Sequence, residues 1–210
     1  MSNPNLHHLP RLDRQFYRAF AAVHWTMRVE PSAGGWLQDP FHRAFRELLL
    51  HACARERLVC PVYCLMPDHL HLIWMGLAIE SDQLNAMKFF RLHLNRLLAG
   101  EPLEKDRLID RSAIMEIQIW SLQPQAHDHV LREKERKQNA FARVCFYILA
   151  NPVRANLVKH EREWPFSGAA VPRYPDLYPL QPEFWELFWK VYFKHREDTP
   201  SHAPSLSERC

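Results

Sequence analysis

The sequence predicts an α+β protein with helices packed on a β-sheet. Two observations carry this expectation. Short segments rich in strand formers alternate with longer stretches whose apolar residues recur at helical spacing. Two of the strands, Leu58 to Leu65 and His69 to Met75, are separated only by Met66-Pro67-Asp68, a tight hairpin in which Pro67 presets the turn dihedral and Asp68 accepts backbone hydrogen bonds. At 210 residues the chain forms one domain with an appendage and can bury a full core.

The first strand is expected at Val23 to Val29, stopped by Pro31 and Gly34-Gly35. Asp39 then caps a crossover helix with Pro40 at its first position, running to about Arg57 on the apolar stripe Phe41, Phe45, Leu48, Leu49 and Ala52. Pro61 marks the second strand as an edge or a bulge. Ser81 or Asp82 caps the next helix, which Gly100 ends. Leu84, Met87, Leu94 and Leu98 are its buried stripe, and Lys88, Arg91 and Asn95 its polar one, read either as a solvated face or as phosphate contacts. Residues 101 to 112 are a charged loop or short helix. Ile114 to Leu122 alternates as a fourth strand ended by Pro124, and Asp128 to Asn151 is a long helix. Seven prolines lie between Pro165 and Pro204, interrupted by the apolar block Phe184 to Phe193, a helix docked on the body or, on a second reading, a partner or membrane-surface helix. The domain map is thus a flexible 1–14, a main domain 15–170, a Pro-rich aromatic appendage 171–194 and a disordered tail 195–210.

Composition narrows the function classes. The N-terminus has no apolar run resembling a signal peptide, and no stretch approaches membrane-spanning length, so a cytoplasmic protein is expected. The five cysteines are odd in number, and Cys60 and Cys64 lack the second pair of a zinc knuckle, so reduced thiols are expected. A net charge of +3 permits nucleic acid without implying it. Five glycines leave no phosphate-cradling loop.

The candidate chemistry lies in two places. On a strand, His69 and His71 project from one face and Leu70, Leu72 and Trp74 from the other. Two imidazoles at i and i+2 are half of a metal site, or else two polar residues satisfied by neighbours. On the long helix, Arg143, Tyr147 and Asn151 are spaced by four and share a stripe, provided the helix persists through Asn151 despite Pro152. Tyr147 is a core tyrosine with its hydroxyl at the surface, or a nucleophile for a phosphodiester. Trp25, Trp74 and Trp120 are buried or stack on an unpaired base.

The blocks Val23-His24-Trp25-Thr26-Met27-Arg28, Met66-Pro67-Asp68-His69-Leu70-His71-Leu72, His127-Asp128-His129-Val130-Leu131-Arg132 and Tyr147-Ile148-Leu149-Ala150-Asn151-Pro152-Val153-Arg154-Ala155-Asn156-Leu157-Val158, in this order and spacing, resemble the REP-associated tyrosine transposases of the single-strand HUH group. The resemblance covers about residue 15 to 170. It implies a ferredoxin-like antiparallel core, His69 and His71 as ligands of Mg²⁺ or Mn²⁺ with Asn151 as a third, and Tyr147 as the nucleophile. It also implies single-stranded DNA with palindromic hairpins as substrate, cleaved and rejoined through a 5′-phosphotyrosine link by a monomer or homodimer. Arg28, Lys88, Arg91, Arg96, Arg143 and Arg154 are the candidates for DNA backbone contacts. The segment between Gly100 and Ile114 is longer than the family pattern, and the chain after Ser167 lies outside it. Two rivals are a hairpin-binding regulator that does not cut, and a zinc protein built from His69, His71, His127 and His129.

Overall fold

A computed structural model of the chain describes residues 12–30, 35–100, 120–132, 140–174 and 177–197. Its centre is an antiparallel sheet of five strands in the order β4-β1-β3-β2-β5, with β1 at Ala22–Glu30, β2 at Leu58–Leu65, β3 at His69–Gly76, β4 at Ser121–Val130 and β5 at Ser167–Ala170. Helix α1 (Asp39–Arg55) connects β1 to β2 and α2 (Gln83–Leu98) connects β3 to β4. This β-α-β-β-α-β order with strands 4-1-3-2 is the ferredoxin-like arrangement, to which β5 adds a strand on the β2 edge. Beyond it come α3 (Ala140–Leu149), the single turn α4 (Asn151–Arg154) and α5 (Phe184–Glu197).

The period of two along each strand sorts the side chains into two cores. Val23, Trp25, Met27, Leu70, Leu72 and Trp74 point to one face, where Phe45, Leu48 and Leu49 of α1 and Met87, Phe90 and Leu94 of α2 cover them. Val62, Cys64, Ile73 and Met75 point to the other, under Cys145, Ile148 and Leu149 of α3 and Phe184 and Phe188 of α5. The face carrying the histidines is open at the His69 end and over β4, where His127 and His129 are exposed. Trp25 and Trp74 are fully buried, whereas Trp120 is partly buried and packs against the first core. The indole of Trp25 donates to Gln83 Oε1 at 3.1 Å.

Several boundaries differ from the sequence reading. Pro61 lies in an interior strand, and it is accommodated by register shifts against both neighbours, a bulge rather than an edge. Pro124 does not end a strand. It sits inside β4, the outer strand, where the register to β1 slips between Met27 and Val29, and an edge bulge tolerates a missing N–H. Asp128 to Val130 belong to β4 and pair with β1, so the helix begins later, at Ala140 among the described residues. Most of the expected fourth strand, 114–119, and the 101–112 segment lie outside the described residues, as does Cys210. The N-terminal boundary also moves. Arg14 is tied to Asp82 by bonds of 3.1 and 2.7 Å, and Asp82 caps α2 by accepting the Leu84 and Asn85 amides. At the other end α5 continues to Glu197, past the expected start of the tail. The four described cysteines, Cys53, Cys60, Cys64 and Cys145, are buried free thiols. No described helix is long and apolar enough to cross a membrane.

Candidate metal and nucleophile site

The hairpin turn is closed by the Met66 amide donating to the His69 carbonyl at 2.7 Å, which starts β3 at His69. The pleat then aims His69 and His71 at the same side, and their Nε2 atoms stand 3.0 Å apart. Each ring is held from behind at Nδ1. His69 Nδ1 meets Asp68 Oδ1 at 2.6 Å. His71 Nδ1 faces two groups from β1, Thr26 Oγ1 at 3.0 Å and His24 Nε2 at 3.1 Å, because Thr26 is directly opposite His71 in the ladder and His24 lies two residues along the same face.

The electrostatics fix the state of His71. Burial, followed by the neighbouring His24 and His69, pushes its pKa down to about 3, and burial and His129 push His24 down to about 4. Both rings are neutral at neutral pH. Burial works to raise the pKa of Asp68, but the hydrogen bond and charge of His69 outweigh it and hold the carboxyl below its ordinary value. In the tautomers that put the His69 proton on Nδ1 toward the carboxylate and the His71 proton on Nδ1 toward an oxygen or nitrogen acceptor, both Nε2 atoms carry lone pairs.

At 3.0 Å the two Nε2 atoms either share a proton or, in those tautomers, present two lone pairs to a cation. Cis ligands on an octahedron with bonds of about 2.1 Å stand about 3.0 Å apart, so the donor pair fits a hard divalent ion. Imidazoles held from behind by a carboxylate or hydroxyl are the usual arrangement behind metal-binding histidines.

The opposite wall is α3. Its buried side, Cys145, Ile148 and Leu149, packs on the sheet and turns Tyr147 outward, 46% exposed, with its ring centroid 6.5 Å from that of His71. Pro152 does not displace Asn151 from the helical path. The Ala150 amide reaches Phe146 and the Ala155 amide reaches Asn151, so α3 and α4 follow one course and the four-residue stripe survives. Asn151 is buried, its Nδ2 has no hydrogen-bond partner, and its Oδ1 accepts a long bond of 3.4 Å from Arg154. A buried amide with an unsatisfied nitrogen, one turn after Tyr147, has the chemistry of an oxygen donor once the amide is turned. The Arg154 guanidinium lies 4.2 Å over the Tyr147 ring.

The predicted basic residues divide. Arg154 is beside Tyr147, the exposed Arg143 is one turn before it on α3, and Arg28 pairs with His69 across the ladder and is exposed. Lys88, Arg91 and Arg96 are on α2, in the layer on the other side of the sheet. The structure does not bring these three to the histidines. Arg91 donates to the Gln123 carbonyl at 2.5 Å and Asn95 Oδ1 accepts from the Leu122 amide at 2.8 Å, so this stripe braces the bulged edge strand. His127 and His129 share the face of His71, but β1 runs between β4 and β3 and separates the two pairs by about 9 to 10 Å. Among the described residues no three His, Cys, Asp or Glu side chains assemble to hold a metal, so the four-histidine zinc arrangement is absent there.

Comparisons with known proteins follow the same line. No family model matches the chain. A curated Haemophilus influenzae protein, provisionally named as a REP-associated tyrosine transposase, is 22% identical over 155 residues, which cover 74% of this chain and 83% of that one. The solved structure of a REP-associated tyrosine transposase bound to a REP hairpin matches with a TM-score of 0.53 at 18% identity, over 76% of this chain and 82% of that chain, and shares the fold. In sequence and in fold alike, this chain is similar to REP-associated tyrosine transposases.

Proposed function

We propose that the protein cleaves and rejoins single-stranded DNA beside palindromic hairpins, through a 5′-phosphotyrosine link on Tyr147. The observation that carries the reading is the pair of Nε2 atoms of His69 and His71, 3.0 Å apart, next to an exposed tyrosine. That the fold neighbour is bound to a REP hairpin supports the substrate class. Such an activity belongs in the cytoplasm, at the nucleoid.

His69, His71 and the Asn151 amide oxygen would hold Mg²⁺ or Mn²⁺, which as a Lewis acid lowers the cost of charge on a phosphoryl oxygen. The remaining work falls to the chain. The Tyr147 oxygen forms a bond to phosphorus as the bond to the 3′-oxygen breaks. The phenol gives up its proton, the leaving 3′-oxygen gains one, and the ester energy is kept on the tyrosine. Arg154, stacked over the ring, sets its direction and offers positive charge to the phosphate. A second 3′-hydroxyl attacking the same phosphorus reverses the step and joins strands.

The test is a denaturing gel of labelled hairpin DNA incubated with the protein and Mn²⁺. A slow-migrating adduct that survives denaturation, and is lost in Tyr147→Phe and in the His69→Ala, His71→Ala double variant, is expected. Hairpin binding on a native gel with neither adduct nor cleavage, over a broad panel of hairpins, would replace this reading with the non-cutting regulator.

A further inference from the structure

A groove of about 500 Å³ runs between α3 and α5, one helical stripe away from Tyr147. Its walls are Phe146 from α3 and Trp185, Trp189 and Phe193 from α5, with Met75 of β3 as its floor and Arg196 at one end. Trp185 and Trp189 pack against the second core along one edge, but core packing does not account for Phe146 and Phe193. Phe146 is 55% exposed and Phe193 50%, while Trp189 and Phe193 lie face to face, centroids 5.8 Å apart at 27°. Other residues of α5 seal the second core, among them Phe184 and Phe188, both fully buried. The apolar stripe of α5 is therefore wider than the core needs.

We infer that this groove binds unpaired nucleobases of the DNA strand that passes Tyr147. The inference rests on the strand-cleaving reading above and assigns it a subsite. Flat aromatic faces with a guanidinium at the end suit a ligand that is aromatic and anionic at once, and base stacking on exposed rings tolerates any sequence. Charge agrees. Among the described residues no acidic side chain lines the groove, Arg196 does, and the last turn of α5 adds Lys194. Arg143 is exposed and sits one helical turn before both Phe146 and Tyr147, between groove and nucleophile, where a phosphate linking the two sites would pass. Spacing agrees too. Met75 is four residues beyond His71 on the same face of β3, about 13 Å, or roughly four nucleotides of a stacked strand.

The probes are one DNA hairpin with a four-nucleotide single-stranded extension and the same hairpin without it, titrated by fluorescence anisotropy in EDTA so that nothing is cut. Wild type is expected to bind the extended hairpin at least about tenfold more tightly than the bare one. Phe146→Ala and Phe193→Ala, both at exposed positions, are each expected to weaken the extended hairpin about 5- to 100-fold and leave the bare one unchanged. Leu187→Ala, exposed on α5 outside the groove, is expected to change neither. Variants that weaken neither probe, or both equally, overturn the subsite while the cleavage reading stands on its own gel. A wild-type protein that binds neither probe and forms no adduct overturns both. A wild-type dimer that Phe193→Ala dissociates, with DNA affinity intact, assigns the groove to a second copy of the chain and overturns the inference.

Discussion

His71 tests whether the histidine pair is built to present two lone pairs. A neutral imidazole has one proton, and on Nδ1 it can go to Thr26 Oγ1 at 3.0 Å or to His24 Nε2 at 3.1 Å, but not to both. Each acceptor is therefore a reserve for the other. Thr26→Val keeps the volume and the β-branch but accepts nothing, and His24→Phe keeps a ring. One hydrogen bond of this type contributes about 0.5–1.5 kcal/mol, and when the neighbour takes it over the net loss falls to the low end, about twofold in Mn²⁺ affinity for either single variant. The double variant frees the ring to take the other tautomer and to rotate, and loss of such support costs about 10- to 100-fold in metal affinity. The expected signature is thus a double-variant loss well beyond the product of the singles. Mn²⁺ titration by calorimetry or electron paramagnetic resonance reads it without DNA, and urea unfolding in EDTA confirms that the variants fold. A double variant that binds Mn²⁺ like wild type would refute the reasoning. So would two large, additive single losses, which would mean that Nδ1 accepts from both neighbours and that the proton sits on Nε2.

Other outcomes follow from the same geometry. Tyr147 is exposed and belongs to neither hydrophobic core, so Tyr147→Phe should abolish the covalent adduct while leaving the unfolding free energy within about 0.5 kcal/mol of wild type. Arg154→Ala removes the cation over Tyr147 and the bond to Asn151, and should slow adduct formation at least tenfold with a stability loss of about 0.5–1 kcal/mol. A Cβ at Gly76 would lie 1.6 Å from the Ala19 carbonyl oxygen, so Gly76→Ala should cost several kcal/mol, about 3 or more, in denaturant unfolding. His42 is held at about 4, first by burial and then by Arg46, against an opposing effect of Asp39, while the unfolded chain titrates near its ordinary 6.5. Its contribution is complete above 6.5 and is lost as pH falls toward about 4, since only the unfolded chain takes the proton there. His42→Gln should flatten the unfolding free energy against pH in EDTA by about one proton over that window.

Much of this was legible because it depends on residues close together in the chain. The hairpin, the Asp82 cap and the shared face of His69 and His71 are properties of a few consecutive residues, and they stand where the sequence puts them. What was not legible depends on register between distant strands. His24 and Thr26 share a face by the period of two, but nothing local says that Thr26 meets His71. The bracing role of the α2 stripe was hidden for the same reason. Helical spacing groups Lys88, Arg91 and Asn95 on one side, but only the bulge in β4 explains why Arg91 and Asn95 are spent on the Gln123 carbonyl and the Leu122 amide. Pro124 misled because a proline ends a central strand but is tolerated on an edge, and strand order is not a local property.

The same sheet order explains why the site is where it is. Placing β3 beside β1 in the middle of the sheet lets one strand supply the two histidines and its neighbour the groups behind one of them. Each element is fixed on its other face by the Trp25, Trp74 and Phe90 packing, so the geometry of the two histidines rests on the rigid part of the molecule. The tyrosine is on a helix that is anchored only by its inner stripe and leaves its outer stripes to solvent. On the strand-cleaving proposal, Tyr147 would therefore adjust to a strand of DNA while His69 and His71 would not. A site that must hold a phosphate in one geometry for both cleavage and its reversal needs the stabilising groups fixed and tolerates movement only in the attacking one.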